Sequence, residues 1–183
     1  MILQPTSISD VLLVKPRMFG DERGFFLETW SAAVFEEAGV SVDFVQDNWS
    51  RSSRGVLRGL HYQRNHTQGK LVRCMAGKVF DVAVDVRRSS PTFGAWVGAT
   101  LSDENRHALW IPPGFAHGFL ALSDVVDFCY KCTDIYDPNS EESILWNDAE
   151  IGIDWPLEAG IKLQMSEKDT EGSKHLSESV CLP

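Results

Sequence analysis

The 183-residue sequence has no apolar run of about 18 residues, the length a helix needs to cross a bilayer. Its start, Met1-Ile2-Leu3-Gln4-Pro5-Thr6, lacks the basic residues and long apolar stretch of a secretory signal. The expectation is a cytoplasmic protein with no membrane partner. Positive charge is also short: 17 Lys and Arg stand against 26 Asp and Glu, a net charge of −9. That argues against nucleic acid as a general partner, since phosphate backbones need a basic surface. It leaves room for a small anionic ligand, because a few local Arg and Lys can override the global field. The cysteines are four, Cys74, Cys129, Cys132 and Cys181, and are expected reduced. Cys129 and Cys132 form a C-x-x-C inside a run that reads as a strand. A spacing of three puts them on opposite faces, so both are read as small buried residues, with no redox or zinc role. Helical pattern is scarce too. Only Ser31–Gly39 carries it: Ser31 can cap the start, Gly39 can end it, and Val34, Phe35 and Ala38 share a face.

What the sequence has in quantity is β pattern. Residues 1–30 read as short strands with turns. Val42–Gln46, Val56–Gln63, Lys70–Met75, Val79–Val86, Ala95–Leu101, Ala108–Ile111, His117–Leu122 and Val125–Tyr136 are rich in branched and aromatic residues. Turn signals such as Ser89-Ser90-Pro91 and Pro112-Pro113-Gly114 punctuate them. Many short strands at this spacing predict a sandwich or barrel rather than βαβ units. The length predicts one domain, 1–183, with a core of ordinary size. Residues 137–165 read as loops around Trp146 and Trp155, and 166–183 as a polar segment forming a short helix or a loose tail. Parity puts Phe80, Val82, Val84 and Val86 on one face and Asp81, Ala83 and Asp85 on the other. It likewise aligns Phe128, Tyr130, Cys132 and Tyr136, either as core filler or as the lining of a barrel mouth.

Chemistry enters at Gly55-Val56-Leu57-Arg58-Gly59-Leu60-His61-Tyr62-Gln63. A histidine and an arginine sit in an apolar run, and burying either unpaired costs several kcal/mol. They differ by three, so an ideal strand sends them to opposite faces. A bulge at Gly59 would bring them together. Downstream, Pro112-Pro113-Gly114-Phe115-Ala116-His117 delivers a second histidine to a strand start. This P-G-x-x-H turn resembles the second motif of the cupin superfamily of small β-barrels. The first cupin motif would supply two histidines and a glutamate to a metal. Here the place of the second histidine is Gln63, and His61 with His117 falls short of the three ligands a catalytic metal needs. The expectation is a cupin-type β-barrel or jelly roll with a few short helices, no metal and no cofactor.

Taken together, the motifs resemble the dTDP-4-dehydrorhamnose 3,5-epimerase family. The matching stretches are Asp21–Glu28, Phe44–Ser50, Gly55–Gln63, Gln68–Arg73, Gly77–Arg87, Ser90–Gly94, Ile111–Phe119, Tyr130-Lys131 and Lys168-Asp169, in order over roughly 150 residues. The resemblance implies epimerisation at C3 and C5 of a dTDP-4-keto-6-deoxyhexose, whose hydrogens beside the ketone are acidic because the carbanion delocalises onto oxygen. It implies His61 as base, Asp169 as its orienting carboxylate, Tyr130 as acid and Lys70 as the cation at the enolate. It implies that Arg23, Arg58 and Lys168 meet diphosphate or sugar, that His117 lines the sugar site, and that Glu28, Gln46, Asn48 and Glu141 contact nucleotide or sugar. Tyr136 corresponds to the ring that stacks on thymine. Residues near the N-terminus reach a partner's site in this family, which implies a homodimer. Competing readings stay open: a single-carbon epimerase or ketoisomerase, a metal-dependent cupin, and a non-catalytic sugar-nucleotide binding module. Blander readings of single residues also stand. Arg23 and Glu28 can be a solvated pair, Lys168-Asp169 plain tail charge, and Lys131 a surface residue. His66, His107 and His175 are read as exposed, and Trp96, Trp110, Trp146 and Trp155 as core or interface.

Overall fold

A computed structural model describes residues 1–158 and 160–183. In chain order its strands are β1 (Ile2–Pro5), β2 (Leu12–Lys15), β3 (Met18–Asp21) and β4 (Gly24–Leu27), followed by helix α1 (Ala32–Glu37). Then come β5 (Gln46–Ser52), β6 (Leu57–Gln63), β7 (Lys70–Ala76), β8 (Lys78–Asp85), β9 (Trp96–Ser102), β10 (Ala108–Ile111), β11 (Phe115–Ala121), β12 (Val126–Cys132) and β13 (Glu141–Ser143). Helix α2 (Glu167–Thr170) and a 3₁₀ turn over Leu176–Glu178 close the chain. A six-stranded sheet, β1-β2-β10-β7-β12-β5, and a five-stranded sheet, β13-β6-β11-β8-β9, make up a jelly-roll barrel. The hairpin β3–β4 forms a separate two-stranded ribbon.

Parity along the strands decides what fills each layer. Val79 and Ala83 of β8 join Val72, Leu109, Phe119 and Phe128 in the barrel interior. Val82, Val84 and Val86 point outward under a second cluster closed by Ile144, Trp155, Leu176 and Leu182. Phe80 packs against that outer cluster, edge-on to Trp96 and Trp155. The outer face of the five-stranded sheet is therefore covered by the C-terminal third of the chain. Residues 166–183 are not a loose tail. The extended bridges Val56↔Gln164, Ile144↔Lys174 and Arg87↔Leu182 stitch the C-terminal segment to the barrel. Buried Asp148 takes the Leu176 N–H at 2.8 Å and faces His175 Nδ1 at 3.1 Å.

Several boundaries differ from the sequence expectation. The strand expected at Val42–Gln46 begins only at Gln46 and runs on to Ser52, while Val42 and Phe44 pack as coil on Trp110 and its neighbours. In β5 the polar residues Gln46, Asn48 and Ser50 turn inward and Trp49 turns out, 71% exposed. A strand lining a wet cavity inverts the usual pattern, so hydrophobicity hid it. The strand expected to reach Tyr136 stops at Cys132, so Tyr136 is not in line with Tyr130. Helix α1 forms within the expected segment, but the Ser31 side chain makes no capping bond. It buries Phe35 alone, edge-on to Trp110. His107 is half-buried rather than exposed. Cys132 is fully buried and Cys129, on the other face, only partly.

Candidate active site

A cavity of about 450 Å³ opens at one end of the barrel, walled by both sheets. His61 of β6 enters from the five-stranded sheet; Lys70 of β7 and Tyr130 of β12 enter from the six-stranded sheet. His61 reaches the cavity with Arg58 because the β6–β11 ladder slips. His117 pairs with His61 and Phe119 with Arg58, so β6 spends one residue more than β11 over the same step. Gly59 absorbs the extra residue at φ +109°, where a Cβ would lie 2.6 Å from the His117 carbonyl oxygen. The bulge expected at Gly59 is there, and only glycine fits it.

Asp169 arrives from α2, far along the chain. Its Oδ1 lies 2.6 Å from His61 Nε2. The same oxygen accepts the Gly59 N–H at 3.1 Å, and Oδ2 accepts the Ser166 hydroxyl at 2.6 Å. Burial alone would raise the Asp169 carboxyl. The His61 ring, the Ser166 hydroxyl and the Gly59 amide override it and hold the group well below the usual carboxylate range. Burial lowers the His61 pKa, against the pull of Asp169, so the ring is neutral near pH 7 and can accept a proton. Burial raises the Tyr130 phenol, which keeps its proton available. Burial lowers the Lys70 pKa, and no side chain among the described residues pairs with its ammonium. One cavity thus holds a neutral imidazole on a fixed carboxylate, a protonated phenol on the facing wall and a lysine amine with no side-chain partner among the described residues.

These observations agree with similarity to known proteins. The family described as dTDP-4-dehydrorhamnose 3,5-epimerase matches residues 5–177. The chain belongs to this family. An enzyme of that name from Pseudomonas aeruginosa is 58% identical over 178 residues, covering 97% of each chain. A Legionella pneumophila epimerase solved with dTDP-4-keto-L-rhamnose has a TM-score of 0.93 at 54% identity, covering 97% of this chain and 93% of that one. A 3′-monoepimerase from Streptomyces bikiniensis with dTDP-quinovose has a TM-score of 0.87 at 34% identity, covering 94% and 87%.

In this epimerase the mouth of the cavity is a polar lattice. Glu141 of β13 accepts the Tyr136 hydroxyl at 2.7 Å and pairs with Lys168 through the same oxygen. Those two partners outweigh burial and lower the Glu141 carboxyl, while Glu141 pushes the Tyr136 phenol up to about 12. Gln46 Nε2 donates to Asn48 Oδ1 at 3.0 Å, and Arg58 Nε donates to the Ser52 hydroxyl at 3.2 Å. Lys131, on the opposite face of β12, pairs with Asp47 at the surface. His117 faces the cavity with its Nε2 2.8 Å from Asp81 Oδ2.

The structure therefore gathers His61, Lys70, Tyr130, Asp169, Gln46, Asn48, Arg58, His117, Tyr136, Glu141 and Lys168 around one cavity. It does not bring Arg23 and Glu28 there. Both lie outside it, Arg23 in the β3–β4 hairpin, where its guanidinium pairs with Asp21. The ribbon rests instead near Arg73, Met75 and Arg106, with the Arg106 guanidinium 4.4 Å over the Phe25 ring, away from the residues that line the cavity. The sequence reading missed Ser166, which fixes Asp169, and Asp81, which holds His117. The S-x-x-D spacing of Ser166 and Asp169 was a readable capping signal. Asp81, an acid among valines on the inward parity of β8, was readable as a buried charge in need of a partner. No helix among the described residues is long and apolar enough to cross a membrane.

Proposed function

We propose that this chain epimerises C3 and C5 of dTDP-4-dehydro-6-deoxy-D-glucose, giving dTDP-4-dehydro-L-rhamnose. The observation that carries the reading is the neutral His61 on ionised Asp169 in the cavity that Tyr130 and Lys70 enter from the facing sheet. His61 takes the proton from a carbon beside the ketone. The electron pair of that C–H bond moves toward the ketone oxygen, where the Lys70 ammonium stabilises the developing enolate. Its lowered pKa makes it a stronger donor to that oxygen. Asp169 holds the imidazole and stabilises the imidazolium. Tyr130 returns a proton from the facing wall, which inverts the carbon. Arg58 and Lys168 meet the diphosphate or the sugar, Arg58 suited to two-point phosphate contact. Gln46, Asn48, His117 and Glu141 orient nucleotide and sugar, and Tyr136 stacks on the base.

A homodimer accounts for Arg23 and Glu28. The β3–β4 hairpin exposes Phe25 and Phe26 by 60% and 70%, an apolar load that a lone ribbon does not leave in water without cause. Seated on a second copy, it would offer Arg23 and Glu28 to the partner's cavity.

The experiment is turnover in deuterated water followed by NMR of the product. Deuterium at both C3 and C5 supports the reading. Deuterium at one carbon alone points to the single-carbon chemistry named for the Streptomyces bikiniensis relative, and none at either overturns epimerisation.

A further inference from the structure

Gln63 ends β6 and is 5% exposed. Its amide carries two N–H donors and one oxygen. Nε2 donates to the His66 carbonyl at 2.7 Å and to the Ile135 carbonyl at 3.1 Å. Oε1 accepts the Asp137 N–H at 3.0 Å. Ile135 and Asp137 flank Tyr136, whose own N–H goes to Gln46 Oε1 at 3.1 Å. Three consecutive residues beyond the end of β12 each have one backbone group held by a side-chain amide from a barrel strand. Its other ties are polar, the Tyr136 hydroxyl on Glu141 and the Asp137 carbonyl accepting the Ser140 N–H, and few apolar contacts hold it, since Ile135 and Tyr136 are 54% and 50% exposed. Segments with few buried apolar contacts open at low cost. Although Gln63 borders the cavity, both its N–H groups are committed, so it has no donor left for a ligand.

We infer that Gln63 is a positioning residue for nucleotide binding. It acts through Tyr136, pre-organising the ring against which the base of a nucleoside diphosphate stacks, and takes no part in proton transfer. The inference rests on the reading of Tyr136 as the stacking ring. Holding a binding group in place before the ligand arrives removes an ordering cost from association. Loss of the clamp should therefore appear in affinity and KM and spare kcat at saturation.

The test is a double-mutant cycle on the intact enzyme, with dTDP as the calorimetric probe and kcat and KM measured alongside. Gln63→Leu keeps the volume and removes all three hydrogen bonds. The expected result is a dTDP Kd and a KM raised about tenfold, with kcat within about twofold of wild type. In a Tyr136→Ala background, which itself weakens dTDP, Gln63→Leu should then have no further effect, because the clamp acts only through the ring. Effects that multiply, a Kd unmoved by Gln63→Leu, or a fall in kcat at constant Kd would overturn the inference. A dTDP Kd unchanged in Tyr136→Ala alone overturns the stacking reading itself, a failure visible separately from the first. If Gln63→Leu folds poorly, Gln63→Glu, nearly the same shape but without the two donors, runs through the same cycle.

Discussion

His61 and His117 sit directly opposite each other on β6 and β11, and each faces an aspartate. Across an antiparallel pair such residues share a face, with Cβ atoms about 5 Å apart. Their carboxylates nevertheless behave in opposite ways. Asp169 comes from a C-terminal helix and has three partners, so it stays ionised far below its ordinary range. Asp81 is a barrel-core residue with no exposed surface; burial raises its carboxyl despite His117, and its Oδ1 has no hydrogen-bond partner among the described residues. The same residue pair thus yields two devices. Where donors converge on the carboxylate, the histidine has a permanent anion to lean on and can take a proton. Where the carboxylate is sealed in apolar surroundings, the pair serves to hold a ring in place, here stacked on Phe128 with 14° between planes. In the proposed mechanism, donor supply around the acid, not the His–Asp pairing, separates a base from a scaffold.

The contrast can be broken most sharply by deletion. His61→Ala should lower kcat by roughly 10³-fold with little change in Tm, since proton transfer supplies a factor of that order. His117→Ala should lose less rate than His61→Ala. Asp169→Asn removes the anion and keeps the shape, and should cost on the order of 10²-fold in kcat, read by steady-state assay. The second pair should register in stability instead. His117→Ala strands the buried Asp81 carboxyl, an expected loss of about 1–3 kcal/mol, or several degrees of Tm by calorimetry. His117→Phe with Asp81→Leu should recover most of that Tm, because removing both polar partners removes the unmet demand.

The smallest effect is in pH. A histidine base works only when unprotonated. Burial lowers the His61 pKa from its ordinary 6.5, so the protonated, inactive form appears only at lower pH. The acid limb of kcat/KM should therefore have its midpoint below 6.5, and in Asp169→Asn it should move lower still, because the charge that favours the imidazolium is gone.

Most of the cavity's lining is legible in the sequence. His61 and Arg58 were conspicuous because charge in an apolar run demands an explanation. Gly59 between them named the place where the strand had to distort. The inward and outward faces of β8 followed from parity. What stayed hidden shares one cause: inward positions that face a wet cavity do not look buried. Gln46-Asp47-Asn48-Trp49-Ser50 carries no apolar face, yet it forms a wall of the cavity, with its tryptophan outside. Tyr136 was placed on a strand because aromatic parity continued past Cys132. It is held instead by Gln46 at its N–H, by Glu141 at its hydroxyl and by Gln63 at its two neighbours, and such bonds leave no periodic trace. The packing of residues 166–183 was equally silent, because isolated bridges, two scattered leucines, Leu176 and Leu182, and the buried aspartates Asp148 and Asp169 hold that segment down, with no periodic pattern among them. Arg23 and Glu28 matched the family's motif, but they lie outside the cavity of their own chain.

The central claim is that proton abstraction and proton return are divided between His61 and Tyr130. Deuterium wash-in at C3 and C5, measured on recovered substrate and product for His61→Ala and Tyr130→Phe, tests it directly. The account predicts that Tyr130→Phe still exchanges hydrogen for deuterium while forming little inverted sugar, and that His61→Ala does neither. Wash-in by His61→Ala at the wild-type rate would contradict it.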